Sequence, residues 1–227
     1  MIFQDPTASL NPVFSIGDQI TSIIRHHEGK SKEEAENIAK EALTAVGLPS
    51  PAEIMNSYPF ELSDGMQQRV MIAIALSSHP ELLIADEPTT ALDVTIQAQI
   101  LRLIRELRLK FNTSMILISH DLGVVHKSCD RMGILYAGNL MEICDKQRLF
   151  SNPLHPYTKG LLGAIPKIKE DREKLSVIRG SLPDIKNLAP GCRFEPRCTN
   201  SVSRCKKEKP PLSEIEPGHW VACYHLN

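Results

Sequence analysis

The run Leu82–Leu83–Ile84–Ala85–Asp86–Glu87–Pro88 constrains the fold of this chain more than any other stretch. Four consecutive apolar residues suit a strand buried on both faces, the pattern of a parallel strand in an α/β sheet. The strand ends in two adjacent carboxylates and a proline turn. Open α/β sheets bind ligands outside the carboxyl ends of their strands. One carboxylate there can hold a divalent cation, and the next can orient or deprotonate a water. Upstream, Leu62–Ser63–Asp64–Gly65–Met66–Gln67–Gln68–Arg69 reads as the start of a helix that stays apolar from Val70 to Leu76. Ser63 and Gly65 let a hydroxyl and backbone N–H groups come close to a phosphate, with the helix dipole behind them.

The surrounding pattern fits an α/β chain. Ile96–Leu109 is periodic as a helix, with Ile100, Leu101, Leu103, Ile104 and Leu107 expected inward. Ser114–Ser119 reads as a second buried strand, so residues 82–119 make a strand–helix–strand unit with a right-handed parallel crossover. Arg131–Ala137 and Leu140–Ile143, joined at Gly138–Asn139, read as a β-hairpin. Before the first strand, residues 1–12 read as a loop, and Ile16–His27 and Lys32–Val46 as amphipathic helices. Ser31 and Glu34 form a capping box ahead of the second helix, Ala35, Ile38, Ala39, Ala42, Leu43 and Val46 form its apolar face, and Gly47 ends it. Beyond residue 150 proline becomes dense and periodicity weakens, which places an expected boundary between regions 1–150 and 151–227.

Composition narrows the class. A net charge of −1 gives no bulk electrostatic case for nucleic acid. No apolar run approaches the roughly 20 residues that span a bilayer, and the first residues lack the basic-then-apolar pattern of a secretion signal. The expected compartment is the cytosol, where six cysteines point to thiols or metal ligands rather than a disulfide framework. Cys192, Cys198, Cys205 and Cys223 cluster among glycine and proline, which suits a loop folded around a metal centre. Their spacing lacks the short C-x2-C knuckles of structural zinc. Cys129 and Cys144 read as small buried apolar residues.

Further motifs fall in order around this frame: Phe3–Gln4–Asp5–Pro6, Ala91–Leu92–Asp93, Ile118–Ser119–His120–Asp121 and Asn152–Pro153–Leu154–His155–Pro156–Tyr157–Thr158. Together with the signature-like helix start at Ser63 and the Walker B-like Asp86–Glu87, they resemble the ATP-binding-cassette ATPases, and within them the oligopeptide/dipeptide (and nickel) permease branch. The resemblance implies an α/β fold: a partial P-loop (RecA-like) nucleotide-binding domain with a helical subdomain, plus a small Cys-rich C-terminal module. It implies ATP and Mg²⁺ as ligands. Glu87 would polarise the attacking water, and His120 would sense the γ-phosphate. Asp86 and Gln4 would serve the Mg²⁺, Asp93 would belong to the D-loop, and Ser63, Gly65 and Gln67 to the phosphate-facing signature. The cysteine pattern is similar to one that carries a 4Fe–4S cluster in that branch, with Zn²⁺ or unligated thiols as alternatives. Implied partners are a second, homologous ATPase subunit in a heterodimer, two membrane-spanning permease subunits and, indirectly, a substrate-binding protein. The place is the cytoplasmic face of the cell (inner) membrane, peripherally.

The chain departs from that family in two respects. The phosphate-cradling loop G-x-x-x-x-G-K-[ST] does not occur in these 227 residues, and the resemblance starts just before the Q-loop glutamine. The expectation is therefore a fragment truncated before the Q-loop, inactive alone. The alternative is a non-catalytic module that offers only its signature in trans and its metal-binding cysteines. The second departure is Asp64, where the family has glycine. At ~5 Å and an effective dielectric near 20, a carboxylate and one phosphate charge repel by roughly 3 kcal/mol; turned away, Asp64 would instead favour the helix N-terminus.

Overall fold

Helical order in the first part of the chain follows from well-marked ends. Asp5 caps α1 (Pro6–Ser9) by accepting from Thr7 and Ala8 N–H. Ser15 caps α2 (Ile16–Glu28). The Ser31–Glu34 capping box opens α3 (Lys32–Ala45), and Gly47 follows it in the left-handed region at φ +74°. Next come α4 (Pro51–Asn56), a 3₁₀ turn at Pro59–Glu61 and α5 (Asp64–Leu76). Helix α5 is buried around most of its girth, from Gln67 to Leu76, because α1, α2, α3 and α6 (Val94–Lys110) all pack on it. The computed structural model describes residues 1–90, 92–165 and 177–226, arranged in two compact units, Met1–Ser128 and Cys129–Asn227.

In the first unit β1 (Leu82–Asp86) and β2 (Ser114–Ile118) pair in parallel, Leu82 opposite Ser114 and Asp86 opposite Ile118, with α6 as the crossover. Residue Ile2 adds a bridge to the other edge of β1 at Ala85. Leu83 and Ala85 are buried, with Met115 and Leu117 packed against the same core. The expectation of two strands buried on both faces is corrected here. Leu82, Ile116 and Ile118 are 49%, 49% and 46% exposed. Among the described residues apolar cover lies on one face of this two-stranded sheet, so alternate residues stay in solvent. Leu101, expected inward, is half-buried along a surface groove with Val94, Ala98 and Val124. Helix α7 (Leu122–Ser128) closes the unit.

The second unit is built on a four-stranded antiparallel sheet in the order β3–β4–β6–β5. Strands β3 (Arg131–Tyr136) and β4 (Asn139–Asp145) form the expected hairpin, but it turns one residue earlier than expected, at Ala137–Gly138, with both residues at positive φ and Asn139 already in β4. The last two strands, β5 (Ser213–Glu216) and β6 (His219–Val221), come from the far end of the chain. Because β4 pairs with β6, Ile143 opposite Trp220, the hairpin falls in the second compact unit, and the units part at Ser128 rather than near residue 150. Helices α8 (Lys146–Ser151), α9 (Pro156–Gly163) and α10 (Ser203–Lys207) complete it. The Asn152–Thr158 motif docks on β4, since both Glu142 carboxylate oxygens accept backbone N–H groups, from Leu154 at 2.8 Å and His155 at 3.0 Å. Burial holds the His155 imidazole down to about 4, and its Nδ1 accepts the Tyr157 N–H, capping α9.

Candidate functional site

A three-cornered hydrogen-bond set meets at the end of β1. Ile2 donates its N–H to the Ile84 carbonyl at 2.8 Å and accepts from the Asp86 N–H at 2.9 Å, which aligns residues 2–4 along the strand end. Gln4 Nε2 then donates to Glu87 Oε2 at 3.1 Å. Thr90 Oγ1 donates to the same oxygen at 2.7 Å, and His120 Nδ1 lies 3.0 Å from Oε1. Asp121 turns the chain beyond His120 by accepting the Gly123 and Val124 N–H groups. Three of the residues picked out from sequence, Gln4, Glu87 and His120, thus share one carboxylate although 116 positions separate the first from the last.

Glu87 sits at φ +43°, in the left-handed region. A non-glycine residue there costs about 1–3 kcal/mol and persists only where neighbours fix it. Its N–H donates to the Ile118 carbonyl at 2.9 Å, and its carbonyl accepts the Thr90 N–H. The conformation turns the side chain off the strand toward His120. The His120 and Thr90 hydrogen bonds hold the Glu87 carboxyl below its ordinary range, and the bond to Glu87 raises His120 above the ordinary imidazole value. His120 is three-quarters exposed, so the pair faces water and is reachable by a ligand.

The other expected site residues divide. Asp86 is half-buried at the last position of β1. Asp93 caps α6, its Oδ1 accepting from Thr95 and Ile96 N–H at 2.9 Å each; Ala91, beside it in the same motif, lies outside the described residues. Ser63 is the N-cap position of α5 without a side-chain capping bond, and Asp64 is the first helical residue and exposed. Gly65 lies where an added Cβ would touch the Ile96 side chain at 3.7 Å, so the signature turn borders the start of α6. Gln67 points inward. Its amide donates to the Pro59 and Leu62 carbonyls and accepts from Thr7 Oγ1, so it anchors the loop before α5. Sequence reasoning missed Thr90, Thr7 and the buried Gln68, which donates to the Pro88 carbonyl at 2.7 Å. The Thr89–Thr90 pair right after Glu87–Pro88 was the available signal for the first.

In the second unit the thiols of Cys192, Cys198, Cys205 and Cys223 gather, the last near enough to feel charge on the other three. Burial raises the Cys192, Cys198 and Cys223 thiols above their usual value. Backbone N–H groups face three of the sulfurs: those of Phe194 and Glu195 at Cys192, Asn200 at Cys198, and His225 at Cys223, the last at 3.3 Å. Arg193, next to Cys192, has Nε and Nη1 buried without a partner among the described residues. Gly191 packs against the Cys205 carbonyl so closely that a Cβ would meet it at 2.1 Å, and Cys192 N–H donates to that same carbonyl at 2.8 Å.

Comparison with known proteins gives concordant matches. The family model described as ABC transporter covers residues 1–90, and that described as Oligopeptide/dipeptide transporter, C-terminal region, covers residues 141–205. The chain is 53% identical over 224 residues to the oligopeptide transport ATP-binding protein AppD of Bacillus subtilis, covering 99% of this chain and 68% of that protein. It is 47% identical to the oligopeptide transport ATP-binding protein OppD of Salmonella typhimurium, covering 99% of this chain and 67% of the relative. Among solved structures, the dimeric ATP-binding cassette MJ0796 in a post-hydrolysis state with ADP and phosphate aligns with TM-score 0.55 and 29% identity, over 64% of this chain and 61% of its own. The chain thus spans about two thirds of the length of these proteins.

Proposed function

Since this chain belongs to the ABC-type oligopeptide-transport ATP-binding proteins, we propose that it supplies ATP hydrolysis to an importer of oligopeptides, with Glu87 as the residue that acts on the attacking water. The convergence of Gln4, Thr90 and His120 on the Glu87 carboxylate carries this reading. A general base must be ionised, held in one orientation and open to its substrate. Hydrogen bonds from His120 and Thr90 keep Glu87 ionised, the Thr90 bond fixes its rotamer, and the exposed His120 side marks the approach.

In this reading the substrate is ATP. Bound Mg²⁺ would supply charge neutralisation on the phosphates, held from this chain by Asp86 with Gln4. His120 stands on the outer side of Glu87, where its second ring nitrogen is available to a phosphate oxygen. The start of α5, Ser63 to Gly65, offers unsatisfied N–H groups and a positive dipole end to the nucleotide of a second, homologous ATPase subunit, with Asp93 beside that junction. Two permease subunits would carry the peptide across the membrane after delivery by a binding protein. No helix among the described residues is long and apolar enough to cross a membrane, which suits a subunit attached at the cytoplasmic face. In the transporter assembled with its permease subunits, and with a phosphate-cradling loop G-x-x-x-x-G-K-[ST] supplied ahead of Gln4, Glu87→Gln is expected to lower ATP turnover by about 10²–10⁴-fold, the usual span for a general base, while leaving nucleotide binding in place. Unchanged turnover would remove Glu87 from the role.

The C-terminal thiols suit a 4Fe–4S cluster. A cluster takes N–H donors to its thiolate sulfurs, as three of these cysteines have. Anaerobic purification should give a brown protein that bleaches in Cys198→Ser. A colourless protein with one zinc per chain would select zinc instead.

A further inference from the structure

Away from both regions, the buried face of the second unit's sheet carries Glu142, Cys144 and His219, and their possible ligand atoms lie within 4.8 Å of one another. The placement follows from strand register. Glu142 and Cys144 are two apart on β4 and share a face. Glu142 pairs with Val221 and Ile143 with Trp220, so the next step of the ladder brings Cys144 opposite His219. Glu142, Cys144 and His219 are each 0% exposed.

Two features of this trio stay unexplained by packing. First, the imidazole is incompletely matched. His219 Nε2 lies 2.7 Å from Glu142 Oε1, yet Nδ1 is buried with no partner among the described residues. Whichever nitrogen carries the proton, one polar atom of the ring is left over in a dry site, which is costly. Second, a thiol adjoins that ring, its sulfur within 4.8 Å of the other two donor atoms. We propose that Glu142, Cys144 and His219 bind a single thiophilic divalent cation, with Zn²⁺ as the representative ion. Imidazole nitrogen, carboxylate oxygen and thiolate are the ligand types zinc takes, at about 2.0–2.3 Å each, so small side-chain shifts bring all three donors onto one ion. One dication balances one carboxylate and one thiolate, leaving the buried site neutral. The Leu154 and His155 N–H groups already orient the carboxylate, as outer partners do for metal ligands. The role is structural: the ion would lock β6 to β4, and through Glu142 the Asn152–Thr158 turn.

The test loads the metal-stripped chain with Co²⁺, whose thiolate charge-transfer band reports sulfur coordination, and with Zn²⁺, read by metal analysis and thermal melting. The wild-type chain and Cys198→Ser should both show the band, take up about one Zn²⁺ at this site and melt higher with the ion. In a Cys198→Ser, Cys223→Ser background, which removes the C-terminal thiol site, Cys144→Ala and His219→Gln should each lose the band and the shift; making both lets one decide if the other fails to fold. Retention of band and shift in Cys144→Ala and His219→Gln in that background would overturn the site, and their loss in Cys198→Ser alone would assign the metal to the C-terminal thiols and overturn it. A wild-type melt that Zn²⁺ does not move would overturn it as well. None of these outcomes depends on ATP turnover.

Discussion

The pairing of Glu87 with His120 makes a specific claim about protons. His120 is raised by its bond to Glu87, so the stabilisation it brings is complete below the unfolded imidazole value and fades as pH climbs through the raised one. Glu87 is lowered, so its share is complete above the unfolded carboxylate value and disappears as pH falls through the lowered one. The charged pair therefore exists in a window bounded by those two folded values. In Glu87→Gln the His120 ring should titrate at a lower pH than in wild type, measurable by NMR of the imidazole; an unmoved midpoint would show that the two side chains do not meet in solution. Gln4, Glu87 and His120 were legible in the sequence because each stands in a short motif with recognisable neighbours. Thr7 and Gln68 were not, because their partners are a side chain and a backbone carbonyl that only the fold brings near. Gln67 shows the converse: its motif suggested a ligand contact, and the fold uses its amide to hold carbonyls.

Among the elements, the long helices were read closely, the short helices and the strands less well: α1 lies within residues 1–12, expected to be a loop. Apolar periodicity and caps act within a few residues, so α2, α3 and α6 were visible locally. Exposure of one face of β1 and β2 depends on what packs over the sheet, and β5 and β6 are short and mostly polar, SEIE and HWV, with no apolar run to announce them. The α2–α4 contact provides a sharp check on packing. A Cβ on Gly17 would meet the Met55 carbonyl at 2.7 Å and its side chain at 3.2 Å. Gly17→Ala removes a helix-weakening glycine, a gain of about 1 kcal/mol, but forces two backbones apart, which costs about 1–3 kcal/mol. Net destabilisation is expected in chemical denaturation, and a stabilised variant would mean that the helices pack less closely than described.

Over the whole molecule, two compact units imply separable responses. If the proposed metal centre is bound, removing it should lower the thermal transition of Cys129–Asn227, since Cys192, Cys198 and Cys223 lie in loops and Cys205 in the short α10, and leave hydrogen exchange in Met1–Ser128 unchanged. Loss of protection in both units together would contradict the division. The exposed Leu82, Ile116 and Ile118 form an apolar face on a two-stranded sheet, a surface prone to association. Ile116→Thr with Ile118→Thr keeps β-branched residues in the strand while removing that apolar area. The pair should reduce self-association in sedimentation experiments without changing the circular dichroism; equal association would place the sticky surface elsewhere.

The short stretch from Gln4 to Thr7 has a mechanical consequence. One end is tied to the Glu87 carboxylate, the other to Gln67 in the first turns of α5. Three residues reach at most about 11 Å when fully extended, so this piece of chain is a tether with little slack. A change in the rotamer of Glu87 that lets go of Gln4 leaves that end of the tether held only two residues further back, by the Ile2 pairing with β1, so the segment leading to α5 lengthens and gains slack.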